Sequence, residues 1–155
     1  GNIVARFAPD GSLFTGGTNR GWGSRGKRPF SFQRVNWNGK VPFEIHEMRA
    51  KPYGFDLSFT LKADIDTLAD VDSYSMESYT YIYQKGYGSP VVDLTKPVIK
   101  KAIPRKDGKS VRLKIKGLVK GNVHELRLPG VRLKGINQPL LHQVAYYTLN
   151  EIPKS

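Results

Sequence analysis

Apolar and polar residues alternate at every second position through much of the chain. In Phe55-Asp56-Leu57-Ser58-Phe59-Thr60 the apolar side chains share one face and the polar ones take the other, which is the period of a half-buried strand. Val111-Arg112-Leu113-Lys114-Ile115-Lys116 repeats the pattern with a basic outer face. Helical periodicity is almost absent, and Asp66 to Asp72 has room for a turn or two of helix at most. Gly, Pro and Asx punctuation divides the rest into short strands. In the N-terminal part these are Ile3 to Phe7, Ser12 to Thr15 and Phe30 to Trp37, the first two joined by Pro9-Asp10-Gly11 as a hairpin. The stretch Gly16 to Pro29 is read as irregular because it is rich in glycine. Beyond a boundary at Pro42, strands are expected at Phe43 to Ala50, Phe55 to Thr60, Ser73 to Tyr83, Pro97 to Ile103, Val111 to Lys116, Asn122 to Leu128 and Ala145 to Leu149. The chain thus divides into residues 1–41, an extension built on a β-hairpin, and residues 42–155, an all-β sandwich.

The segment Gly117 to Leu128 narrows the class. Leu118, then Lys120-Gly121, then His124 with Leu126 and Leu128 on its face, resembles the crossing between late strands of immunoglobulin and fibronectin type III sandwiches. There a leucine plugs the core and an aromatic bonds back to the loop backbone. The expected fold is therefore an immunoglobulin/fibronectin-III-like β-sandwich, with Leu118 and His124 as a structural corner.

A wider resemblance runs along the chain. Phe7-Ala8-Pro9-Asp10-Gly11-Ser12-Leu13-Phe14 and Gly17-Thr18-Asn19-Arg20-Gly21-Trp22-Gly23-Ser24-Arg25-Gly26 resemble the closing propeller blade of bacterial glucose/sorbosone dehydrogenase-like proteins. Phe43-Glu44-Ile45, Met48-Arg49-Ala50, Gly54 to Thr60, Ser73 to Met76, Tyr79-Thr80-Tyr81, Tyr87 to Pro90, Leu140 to His142 and Ala145 to Asn150 resemble the sandwich that follows it. In that family the propeller carries quinone-linked sugar oxidation, and a haem domain often follows. The resemblance implies a periplasmic, secreted or cell-envelope location. It also implies a non-catalytic accessory module whose partners are neighbouring domains of a parent chain, the propeller and a haem domain. The activity does not carry over, because the family's catalytic and cofactor residues belong to other blades. No cofactor is expected.

Composition adds constraints. Hydrophobic residues make up 39% of the 155 and charged residues 25%, enough to bury a core and unlike a disordered chain. Cysteine is absent, which excludes disulfides, thiolate metal sites and a thioether-linked haem. No apolar run approaches the roughly 20 residues of a membrane span, and Asn2 to Arg6 shows no signal-peptide pattern. The net charge of +12 raises an anionic partner, with a basic nucleic-acid-binding domain as one alternative.

Candidate chemistry is sparse. Tyr79, Tyr81 and Tyr83 alternate along one predicted strand, with Tyr74 and Tyr87 nearby. Such a row can stack on sugar rings, so a carbohydrate-binding module that takes polysaccharide is a second alternative; packing against a neighbouring domain is the other use of the same row. Arg20, Trp22, Arg25 and Arg28, with Lys27, lie on the glycine-rich stretch, where they can hold an anion or form a domain interface. Asp64, Asp66, Asp70 and Asp72 lack the spacing of a calcium loop and read as helix caps, so no metal site is expected. His46, His124 and His142 are dispersed, and no nucleophile motif accompanies them, so no catalytic residue is assigned.

Overall fold

The computed structural model describes residues 1–19 and 28–154. Its contacts separate two compact units, Gly1–Lys40 and Val41–Ser155.

The first unit is an antiparallel three-stranded sheet in the order β1 (Asn2–Phe7), β2 (Leu13–Thr18), β3 (Phe30–Val35). Its hairpin turn is fixed by chemistry written into Pro9-Asp10-Gly11-Ser12. The Ser12 amide and hydroxyl both donate to the Asp10 carboxylate, at 2.9 and 2.6 Å, and Gly11 supplies a φ of 81°. Strand β2 continues through Gly16, Gly17 and Thr18, where the sequence suggested irregular loop. The reason is steric. A Cβ on Gly17 would lie 2.6 Å from both the Gly1 carbonyl and the Ser31 hydroxyl, so glycine is what lets the flanking strands close on it.

The second unit is an all-β sandwich. One four-stranded sheet has the order β4 (Ile45–Lys51), β5 (Gly54–Phe59), β9 (Ser110–Lys116), β8 (Val98–Pro104). The other has the order β11 (Val144–Thr148), β10 (Val123–Arg127), β6 (Ser75–Tyr81), β7 (Val91–Thr95). All neighbours are antiparallel, and the chain changes sheet after β5, β7 and β9, which is how a sandwich closes around one core. Phe55, Leu57, Val111 and Leu113 from one sheet are sealed against Met76 and Leu126 from the other, each large apolar side chain contributing about 1.5–3 kcal/mol. Phe43, Leu128, Val131 and Leu140 complete the cluster from the connecting segments.

The link from β5 to β6 carries the short helix α1 (Ile65–Ala69) and one 3₁₀ turn, Val71–Ser73. Asp64 caps α1 by accepting from the Asp66 and Thr67 amides, both at 3.1 Å, and Asp70 caps the 3₁₀ turn through the Asp72 amide at 2.9 Å. Leu68 pins the link to the core.

Two elements of the sandwich also differ from the sequence reading. Strand β7 was not predicted: its alternation is interrupted at Asp93, whose φ is 55°, and its pairing with β6 slips in register between Ser78 and Thr80. Strand β6 stops at Tyr81, so Tyr83 lies in the connection beyond it.

Candidate functional site

The candidate surfaces are the two outer faces of the sandwich, the corner between β9 and β10, and the three-stranded sheet of the first unit. The structure distributes the predicted tyrosines and does not gather them. Tyr74 precedes β6, is buried in the core, and donates to the Leu68 carbonyl at 2.8 Å. Tyr79 is also buried, on the outer side of its sheet, and donates to Glu125 at 3.2 Å. Burial first, then hydrogen bonding to Tyr81 and Glu125, pushes the Tyr79 phenol well above its ordinary range. Tyr81 meets it edge-on, with ring centroids 5.6 Å apart at 84°, while Tyr83 and Tyr87 stand free in solvent. The inward-facing strand positions before Tyr79 belong to Met76 and Ser78. The expected flat row is therefore absent: one ring is buried, its neighbour is perpendicular, and the third is off the strand.

Sequence reasoning overlooked Tyr146 and Glu125. The β10–β11 register sets Glu125 opposite Tyr146, and the β6 register sets it opposite Glu77. Arg127 forms an ion pair with Glu125. This face is thus mixed, aromatic and acidic, and only the cross-strand register assembles it.

The other outer face is basic. Row by row, the registers place Lys51, Gly54, Lys114 and Lys101 side by side, and then Arg49, Asp56 and Arg112. A third row brings together Glu47, Ser58 and Ser110. A depression of about 390 Å³ opens over the second and third rows, with Arg105 at its rim. Arg49 pairs with Glu47 at 2.7 Å and Arg112 with Asp56 at 3.1 Å. The Arg112 guanidinium also lies 4.8 Å above the Tyr53 ring, and the Tyr53 hydroxyl donates to Asp56 at 3.0 Å. Hydrogen bonds from Arg112 and Tyr53 hold the Asp56 carboxyl below its ordinary range, against the effect of burial, which is the largest influence and acts the other way.

At the corner, His124 is fully buried. Its Nε2 accepts from the Val119 amide at 3.3 Å, and Nδ1 lies 3.3 Å from the Asn122 carbonyl. One tautomer satisfies both contacts, with the proton on Nδ1 donated to Asn122. Its ring also packs 5.9 Å from Phe55. Leu118 is half-buried against the same core. His142 pairs instead with Glu44, which also accepts from the His142 amide at 2.8 Å. Among the described residues, no three His, Cys, Asp or Glu converge as metal ligands.

Of the basic loop, Arg28 is exposed; Arg20, Trp22, Arg25 and Lys27 lie outside the described residues. The three-stranded sheet has apolar side chains on both faces. Phe7, Leu13 and Val35 are cross-strand neighbours on one, and Val4, Phe14, Phe30 and Phe32 share the other. Phe7 is 80% exposed and Phe32 78%.

No family model matches the chain, and neither a curated protein nor a solved structure does.

Proposed function

We propose that the chain is a non-catalytic accessory module that packs against neighbouring domains of a larger secreted or envelope protein, one resembling the sugar dehydrogenases named above. The observation that carries this reading is the three-stranded sheet with large apolar residues exposed on both faces. Sheets solvated on one side alternate apolar and polar residues; a sheet apolar on both sides is an interior layer. A propeller blade is such a layer, covered by one neighbour on each side. Forty residues in three strands cannot bury these side chains by themselves.

The sandwich supports the second half of the reading. Lettered in chain order, its sheets run A-B-E-D and G-F-C-C′, the constant-type immunoglobulin arrangement with one strand added. His124 supplies the bond from strand F back to the corner that a tyrosine makes in such domains.

The test compares amide hydrogen exchange in this 155-residue chain with that in the longer parent chain the proposal requires. We expect exchange at Asn2–Phe7 and Phe30–Val35 to slow in the longer chain, because the outer strands of the sheet gain partners there. Equal exchange rates in the two would overturn the reading.

A further inference from the structure

We propose that the outer face of the β4-β5-β9-β8 sheet binds an acidic polysaccharide, a chain that presents carboxylate or sulfate groups together with free hydroxyls. This reading stands on the basic face and does not depend on the docking role above.

Three observations lead to it. The first is charge placement. Lys51, Lys114 and Lys101 occupy one cross-strand row, and Lys114 and Lys101 are directly opposite each other. Like charges in that relation destabilise a sheet, and a bound anion relieves the repulsion. At about 4.8 Å per strand the row spans roughly 14 Å, long enough for several sugar residues.

The second is the depression beside the row. It is lined by Arg49, Arg105 and Arg112 together with Glu47, Asp56 and Ser110. Ser58 borders it as well. Cations alternate there with carboxylates and hydroxyls. A phosphodiester backbone offers only acceptors at its charged groups and meets repulsion from Glu47 and Asp56. A sugar acid offers an anion to the guanidinium groups and hydroxyl donors to the carboxylates, so it satisfies both kinds of group.

The third is the lack of stacking surface. Among the described residues, no Phe, Tyr or Trp of these four strands points outward, and the Tyr53 ring is covered by Arg112. Single-stranded nucleic acid draws much of its affinity from base stacking on exposed aromatics. A glycan held by ion pairs and hydroxyl contacts needs none.

Isothermal titration of the intact chain with polygalacturonate, heparin, neutral dextran and duplex DNA tests this directly. We expect binding to one of the two acidic polysaccharides, none to dextran, and at least tenfold weaker binding to DNA. The preference between the first two assigns carboxylate or sulfate as the anion. The double variant Lys101→Gln/Lys114→Gln, which removes the facing charges from exposed positions, should weaken polysaccharide binding at least tenfold with its melting temperature retained. The Glu47→Gln variant separates recognition from ion exchange. An amide oxygen accepts from a sugar hydroxyl more weakly than a carboxylate does, which lowers polysaccharide affinity, whereas simple ion exchange is strengthened by removing a negative charge. Stronger binding in Glu47→Gln, equal affinity for DNA, or no binding to either acidic polysaccharide would each overturn the proposal. The wild-type titrations decide the matter even if a variant fails to fold.

Discussion

His124 shows how one side chain joins local and global structure. It reaches back from β10 to the loop it has just left, so its ring nitrogens satisfy backbone groups that the turn would otherwise leave buried and unpaired. Burial pushes its pKa below the ordinary 6.5, partly opposed by the hydrogen bond to Asn122. The unfolded chain therefore binds a proton near pH 6.5 while the folded one resists until lower pH. Stability should be constant above about pH 6.5 and fall as pH drops from there toward the folded pKa. Substituting His124→Phe removes the acceptor for the Val119 amide and should cost about 1–3 kcal/mol near neutral pH. The same variant should lose this part of the pH dependence. Urea unfolding at pH 7.5 and 5.5 measures both, and an unchanged slope between the two pH values would assign the titration to another group.

At the scale of elements, pairing within the β4-β5-β9-β8 sheet relies on close backbone approach. Gly54 opens β5 with a φ of 150°, and a Cβ there would fall 2.1 Å from the Leu113 carbonyl oxygen, well inside contact distance. Leu113 sits in the core on the neighbouring strand, so neither backbone can retreat without opening the cluster. Gly54→Ala should therefore destabilise the sandwich by at least about 2 kcal/mol, read as a shift in the denaturant midpoint. By contrast, Gly16 lies in β2 with nothing within 4 Å of a Cβ and an unexceptional backbone. Alanine there should leave the midpoint nearly unchanged, so the pair separates steric glycines from incidental ones.

For the whole molecule, the decisive fact is that every member of the buried apolar cluster lies at or beyond Phe43. Residues 41–155 should fold alone and unfold cooperatively within a few degrees of the full chain in calorimetry. The first unit supplies exposed apolar surface instead of core, so deleting residues 1–40 should abolish most of the binding of a hydrophobic dye such as ANS. Dye binding that persists in residues 41–155 would shift the apolar surface to the sandwich. The same division separates the two proposals made above: docking belongs to the first unit, and polyanion binding to the second.

The sequence by itself determined the class of fold and most of its strands, because a period of two and Gly, Pro and Asx turns are local properties of the chain. It marked Asp64 as a cap, for a carboxylate beside free amides acts within a few residues, and it singled out His124 from the corner around it. What it could not supply was any relation across strands. Tyr79 and Tyr81 alternate correctly in sequence, yet their burial depends on Glu125 and on where β6 ends. The basic face was visible only as the solvent side of β9; Lys51, Lys101 and Arg49 join it through register with strands more than fifty residues away in some cases. A strand's alternation says which side chains point the same way. Only the tertiary structure decides which strands lie beside it, and so which charges, hydroxyls and rings share one surface.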